Sequence, residues 1–533
     1  MEQAKETKQD SPIGVAKIKC FRGVKEVKLE LAPITILTGR NNAGKSSVLE
    51  ALALAFSAPS LQDWLGNDIA RMIIDDKLAG HPSRLLNLTC REEATINLNL
   101  KMDDQGARIV RIAKPNSTIN NQFLCMMLQK IRESLYDELT SEGEAYRCLR
   151  KAFASYTREG EALTTIMFTI GYIIAHLAES TCEERLSIEK IVQPILLPES
   201  LARSIYKSEP ALKSAALTLR EHVNRIIRPI IDDSIVIKLN GSSYLYLPRF
   251  RMGVSKEKQY YEELSNLEAV FVRNIINMTG IILERAELKD LYSVYAKLQL
   301  GKELGKMIRR CIWKKLRRTI DNLWTAQYRV NLNDGKANEK TEWNVYTVFR
   351  RSTVIRHEIF GANTLEKIVD KVHDLGLLRD YGNVIRSIRS LNLEDPIIKE
   401  NEVLLRKDGM RIPAALLGDG TLLLLALLAG LVLARRQPQT VLILEEPETG
   451  LHPGYLMVLA DSIARATKEN PSALVLLSTH SMELIRFIAK RAMRHGVLDK
   501  VKTVLMSNGE VYSVFKGREI LEAKEIGIEL RGI

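Results

Sequence analysis

Residues 39–46, Gly39-Arg40-Asn41-Asn42-Ala43-Gly44-Lys45-Ser46, match G-x-x-x-x-G-K-[ST] at every position. Glycines at those two places let backbone N–H groups close around phosphate oxygens, and a helix starting there points its positive end at them. In such a loop Lys45 reaches the β- and γ-phosphates of ATP and the Ser46 hydroxyl ligates Mg²⁺; Ser47 completes the phosphate-binding run. A glycine turn before an ordinary helix would carry some of the same letters. The strand-like "ITILTG" ahead of the run and the helical spacing of "KSSVLEALALAF" behind it supply the context a phosphate loop requires.

Three further groups could complete the site. "VLILEE" ends an apolar strand on Glu445 and Glu446. A carboxylate at a buried strand end is costly unless a cation meets it. Glu445 would hold Mg²⁺, directly or through water, and Glu446 would orient and deprotonate the attacking water. Two surface acids in a turn would look the same. "ALVLLSTH" ends a second apolar strand on His480, which either serves the fold or senses the γ-phosphate. Gly418, Asp419 and Gly420 open a strongly apolar helix, as an anion site or as a simple cap.

The elements carrying these residues come from both ends of the chain. "GVAKIKCF" and "KEVKLEL" read as paired strands turning at Arg22-Gly23, and "ATINLNLKM" and "ARIVRIA" as a hairpin ending near Lys114. "EVLLRKDGMRIP" is a hairpin with Asp408-Gly409 at its turn, and "YRVNL" and "WNVYTVF" form another around "NDGKANEK". From Leu416 the pattern alternates strand and helix, the second half of a doubly wound sheet, and closes on a hairpin at Asn508-Gly509. Between these ends lies a helix-rich region that Pro194, Pro198, Pro210, Pro229 and Gly241 interrupt, so it is not one long coiled coil. Within it, "SSYLYLPRF" is a strand-like island that returns to the first domain.

Composition excludes several classes. The chain has 533 residues, 46% hydrophobic and 27% charged, which describes an ordinary globular protein with several cores. The polar start "MEQAKETKQDSP" has no apolar signal region, and Leu422–Ala434 and Ile166–Ala178 are too short to span a bilayer. A cytoplasmic location with no membrane partner is expected. Six cysteines lack C-x-x-C spacing and are expected to be buried, reduced thiols. The net charge of +12 favours a polyanionic partner.

The sharpest feature of the middle is "KELGKMIRRCIWKKLRR". At 100° per residue, Lys302, Lys306, Arg309, Arg310, Lys314, Arg317 and Arg318 share one face, with Trp313 within it, and Leu304, Ile308 and Cys311 lie on the other. Such a face follows nucleic-acid phosphates and its aromatic can stack on bases; a solvated or partner-binding helix face is the alternative.

The four motifs together resemble the ATP-binding-cassette class of ATPase heads. The nearest likeness is to the SMC/RecF-like heads and the ATPase part of the OLD (overcoming lysogenization defect) family. "IKCFRGVKEVKLELAPITILTGRNNAGKSSVLEAL" is similar to the N-terminal lobe of that group, "IPAALLGDGTLLLLALLAGL" to its signature region, "LILEEPETGLHP" to its Walker B and D-loop, and "LLSTHS" to its histidine switch. The resemblance covers about Ile18–Lys114 and Glu402–Phe515.

It implies an α/β fold: an ABC-type ATPase head, with a P-loop sheet and an antiparallel β subdomain, assembled from both chain ends around a long helix-rich insertion. The N-terminal lobe is then 1–115, the insertion 116–394 with 242–250 as a returning head strand, and the C-terminal lobe 395–533. The resemblance also implies a homodimer in which two heads sandwich two ATP molecules, each signature loop completing the partner's site, closed by ATP and opened by hydrolysis.

The chain departs from the pattern in places. Gly418 replaces the usual signature serine, Asp419 brings a negative charge near a phosphate position, and Glu445 stands where aspartate is common. Gln122 is a Q-loop candidate by position only. The OLD nuclease domain has no counterpart in Ser481–Ile533, so the chain alone is expected not to cut DNA. Two readings of function follow: an ATP-gated DNA-binding machine in genome maintenance or in defence against foreign DNA, or a regulatory ATPase controlling a separate effector protein such as a nuclease or toxin. A transporter subunit or a small-molecule kinase fits the long insertion and the signature helix poorly.

Overall fold

The computed structural model describes residues 13–101, 107–127, 144–153, 199–239, 242–248, 254–285, 303–318, 329–331, 344–348, 362–399 and 402–525, apart from isolated positions, together with short pieces of 165–173 and 293–296. The chain forms two compact units. The first comprises Met1–Lys114, Val236–Tyr244 and Asn331–Ile533, and the second Pro115–Ile235 and Leu245–Val330.

The first unit is built from two sheets. Strands β1 (Gly14–Phe21) and β2 (Val24–Leu31) pair antiparallel, with Val15 opposite Glu30. Strand β3 (Ile34–Gly39) is buried at every position and runs into helix α1 (Lys45–Phe56). Helix α2 (Ile69–Lys77) follows, its start capped by the Asp68 side chain accepting from the Arg71 N–H. Strand β4 (Glu93–Leu100) pairs with β1 and with β5 (Arg108–Ala113), and β5 pairs with β6 (Ile235–Leu239), Ile112 lying opposite Ile237. The chain thus leaves this antiparallel sheet after Lys114 and returns to it at Val236.

The second sheet carries the site. Its order is β11-β10-β3-β9-β8-β7, made of β7 (Asn344–Val348), β8 (Thr440–Glu445), β9 (Leu474–Ser478), β10 (Val501–Ser507) and β11 (Glu510–Lys516) beside β3. All pairs are parallel except β10–β11. Register brings the strand ends level: Glu445 lies opposite Ser478, and Ser478 opposite Leu37. Ligand sites of open parallel sheets form along that edge.

Helices cover the sheet. Leu422–Ala434 is buried throughout, inside the helix Asp419–Arg436. Helix Ala362–Asp374 buries Leu365, Ile368, Val369 and Val372 in the same core, and Tyr381 of Leu378–Arg386 donates its hydroxyl to the Leu425 carbonyl at 3.0 Å. Residues 362–394, expected to belong to the insertion, therefore pack with the C-terminal lobe. Their apolar positions match the buried leucine helix.

Several expectations need correcting. Asn344–Val348 does not form a hairpin with Arg329–Asn331; it pairs in parallel with Thr440–Leu444. Alternating residues suit either partner, so a local turn pattern does not choose between them. Cys20 is disulfide-bonded to Cys90 and Cys148 to Cys311, not reduced, because the fold brings each pair's Cα atoms to 5.5 Å. In the second unit Pro210 and Pro229 do not interrupt the helix Glu199–Ile231, which runs 33 residues, about 50 Å at the usual rise. It packs antiparallel on Val254–Arg285: Ser204 donates to the Ile282 carbonyl at 2.6 Å, and Leu212, Leu219 and Ile226 share its buried face with Leu267, Phe271 and Ile275. The Ile166–Ala178 run falls mostly outside the described residues.

The two expected dipeptide turns form as read, with positive φ at Asp408, Gly409, Asn508 and Gly509. Gly509 also meets the N-terminal lobe. Its N–H donates to the Ala43 carbonyl at 3.1 Å, and a Cβ there would collide with the Gly23 carbonyl. Gly509→Ala is expected to lower stability by about 1–3 kcal/mol, read as a shifted denaturant midpoint, with Ser513→Ala as an unaffected control.

Candidate nucleotide site

The phosphate loop is held in an unusual backbone path. Gly39 has φ 139°, Asn42 φ 61° and Gly44 φ 93°, and a Cβ at Gly39 would meet the Met506 carbonyl oxygen. Arg40, Asn41 and Asn42 are exposed, whereas Ala43, Gly44, Lys45 and Ser47 are buried and Ser46 is partly so. The Lys45 ammonium, 5% exposed, donates to the carbonyls of Gly39 at 3.0 Å and Arg40 at 2.9 Å. Burial lowers its pKa, against the opposing field of Glu446, Glu448 and Glu445. It is thus a desolvated cation within the loop that would receive phosphate. Ser47 Oγ accepts from the Gly23 N–H at 3.3 Å, so Ser47 ties the loop to the β1–β2 turn.

The strand ends bring the acids to this loop's edge. Glu445 is 6% exposed and pairs with the Lys77 ammonium at 2.5 Å. At Glu446 the backbone turns left-handed, φ 45°, and its N–H donates to the Ser478 carbonyl at 2.9 Å. Consecutive carboxylates thereby diverge: one is buried against Lys77, while the other lies 3.4 Å from His480 Nε2. His480 is held from behind by Glu448, whose Oε1 accepts from its N–H at 2.9 Å and from Thr479 Oγ1 at 2.6 Å.

The structure thus brings Gly39–Ser47, Glu445, Glu446 and His480 to one edge of one sheet. Gly418 is the N-cap of the leucine helix, Asp419 begins that helix, and Gly420 packs against the Gly450 carbonyl. Leu416 beside them is 75% exposed. Gln122 lies in the second unit.

Three residues of this edge escaped the sequence reading. Glu448 was visible as a third acid in "EEPET" but had no assigned role. Lys77 and Arg22 carry no signal, because their partners lie far along the chain. Arg22 forms an ion pair with the fully buried Glu50 of α1, and its pKa is lowered by burial against the field of Glu445.

The residues present suit Mg²⁺ held with a nucleotide. The donors are hard oxygens, a carboxylate and hydroxyls, and Mg²⁺ usually takes one or two carboxylates and completes its shell with phosphate and water. Ser478 Oγ and Glu448 Oε2 are buried without a hydrogen-bond partner, so polar capacity remains at this edge. No group of three or more His, Cys, Asp or Glu among the described residues forms a metal cage.

A sheet of this kind, with a phosphate loop after an interior strand and two acids at the end of the strand next but one, defines a P-loop nucleotide-binding protein. The chain belongs to the AAA ATPase domain family, whose pattern matches residues 15–485. It is 64% identical over 118 residues to the uncharacterized protein MJECL10 of Methanocaldococcus jannaschii, covering 22% of this chain and 53% of that protein. It is 30% identical over 94 residues to MJECL11 of the same organism, covering 17% of this chain and 81% of that protein. The chain therefore spans about half the length of the first of these relatives. Among solved structures it is similar to the Smc head domain of Pyrococcus furiosus bound to the C-terminal domain of ScpA, at 12% identity, TM-score 0.33, covering 97% of this chain and 99% of that one. The Smc head of Pyrococcus yayanosii gives 13% identity, TM-score 0.32 and the same coverage. No helix among the described residues is long and apolar enough to cross a membrane.

Removing the Glu448 carboxylate takes away two hydrogen bonds to a charged acceptor. Glu448→Ala is expected to cost about 1.5–3 kcal/mol per bond at most, and Glu448→Gln less, because one amide oxygen remains to accept. Denaturant unfolding of the two variants, compared with the parent, measures the difference.

Proposed function

We propose that the first unit binds and hydrolyses ATP, and that the nucleotide gates pairing of two heads that control DNA binding in genome maintenance or defence against foreign DNA. The observation that carries the ATPase reading is the level arrangement of the Gly39–Ser47 loop, Glu445, Glu446 and His480 at one sheet edge. In this reading Lys45 leaves the loop carbonyls for the β- and γ-phosphates. Ser46 and Glu445 hold Mg²⁺, which when bound offsets phosphate charge. Glu446 orients water and takes its proton, and His480 aligns the Glu446 carboxylate and registers the γ-phosphate. The turn Gly418-Asp419-Gly420, with Leu416 exposed beside it, is the surface offered to a second head.

Glu446→Gln should retain ATP and Mg²⁺ while hydrolysis falls by about two to four orders of magnitude, since an amide cannot take the proton. Light scattering should then show a dimer with ATP and a monomer without it. Parental turnover would remove Glu446 as the base, and a monomer under both conditions would remove the gating.

The DNA part of the proposal rests on the helix of the second unit that contains Glu303–Ile308 and continues through Arg309–Trp313. Lys306, Arg309, Arg310, Lys314, Arg317 and Arg318 are exposed on it, over a face of buried Leu304, Ile308, Cys311 and Leu316; Lys302 lies outside the described residues. Trp313 is not in the basic face. It is 4% exposed and its ring lies 5.8 Å from that of Phe271, because a π-helical turn at Arg309–Trp313 rotates it inward. The face therefore has charge for phosphates, with Trp313 withdrawn from it. Arg309 is engaged by Glu268 at 3.1 Å, and Arg317 lies over the Tyr261 ring.

Changing Lys306, Arg310 and Lys314 to Glu should weaken DNA binding similarly across sequences and flatten the slope of log K against log salt by roughly one per lost contact. Unchanged affinity and slope would favour control of an effector protein instead.

A further inference from the structure

The cation paired with Glu445 belongs to no motif. Lys77 ends α2, and its ammonium lies 2.5 Å from Glu445 Oε2, with the two side chains only 9% and 5% exposed. This is the carboxylate assigned to Mg²⁺ above. We infer that Lys77 stands in for the divalent cation in the nucleotide-free head, and that its release from Glu445 sets the Mg²⁺ concentration at which nucleotide is held. The inference rests on the ATP-site reading.

Two further cations act electrostatically on this carboxylate. Arg22 pairs with Glu50, and Lys45 donates to the Gly39 and Arg40 carbonyls. Glu445 is a buried carboxylate at the end of a strand whose register with Leu474–Ser478 holds it in place, and the Lys77 ammonium is in direct contact with it. With Lys77 in contact, a second cation cannot share the same carboxylate oxygen without facing a buried like charge. A metal that takes Oε2 must therefore displace Lys77 from it. The ion pair offsets the charge of Glu445, and it raises the metal concentration needed to fill the site. Because Lys77 terminates α2, occupancy of the metal position is also felt in that helix.

Lys77→Met keeps the aliphatic stem and removes the charge. Binding of a fluorescent, non-hydrolysable ATP analogue, titrated with Mg²⁺, should show half-saturation at about tenfold lower Mg²⁺ than the parent, since one competing buried charge pair is gone. Affinity for the analogue in EDTA should not change, and Lys77→Arg should return the Mg²⁺ requirement towards the parental value. A Mg²⁺ requirement in Lys77→Met equal to or higher than the parent's overturns the inference. So does an affinity loss of the same size with and without Mg²⁺, which would place Lys77 on the phosphates.

Should Lys77→Met fail to fold, the parent supplies the test. A crystal structure with Mg²⁺ and the analogue should show the ammonium no longer bonded to Glu445, and an intact pair there overturns the proposal. Lys45→Ala separates the two levels: if it retains full affinity for the analogue, the ATP-site reading itself fails.

Discussion

A carboxylate buried at the end of β8 is the constraint on which the first unit depends. Glu445 lies opposite Ser478 at the end of a strand that is paired on both sides as far as Leu444, which restricts its movement. Leaving it unpaired would cost several kcal/mol, more than the roughly 1.5–3 kcal/mol that burial of any one leucine of the adjacent helix contributes. The cation that meets it comes from α2, in the other lobe. Arg22 from the β1–β2 turn and Lys45 from α1 add positive field to a cluster whose acids are Glu445, Glu446, Glu448 and Glu50. Cations from the N-terminal lobe and three of the four acids from the C-terminal lobe neutralise one another only once the chain ends have joined. This gives a physical reason for one site being divided across the chain.

Backbone contacts make the same junction rigid. The turn at Asn508-Gly509 lies against Ala43, Gly44 and Gly23, and the Met506 carbonyl lies against Gly39. Strands β3 and β10 pair from Ile34 to Gly39, which delivers the loop to that turn in a fixed register. A loop whose dihedrals are set by such contacts loses little conformational entropy on binding a ligand. Glu448 does the equivalent work on the opposite side by fixing Thr479 and the His480 backbone.

The second unit follows different rules. Its two long helices pack along apolar faces, and a helix with tertiary partners along its length tolerates Pro210 and Pro229, each of which gives up one backbone hydrogen bond. At the π-turn Arg309–Trp313, Cys311, Ile312 and Trp313 lie inward in succession, and the basic residues stay on the outside.

What the sequence determined by itself is what depends on near neighbours. The spacing of Gly39, Gly44, Lys45 and Ser46 specified the phosphate loop. Asp408-Gly409 and Asn508-Gly509 specified turns needing positive φ, and the apolar runs ending at Glu445 and His480 specified buried strands with polar ends. Tertiary structure alone decided which distant groups meet. The pairing of Lys77 with Glu445, the parallel seat of Asn344–Val348, the bonds of Cys20 to Cys90 and Cys148 to Cys311, and the inward turn of Trp313 left no local mark. Motif spacing records chemistry carried out within a few residues. A buried charge or a free strand edge is satisfied by whichever partner the closed fold brings within reach, and many sequences can supply that partner.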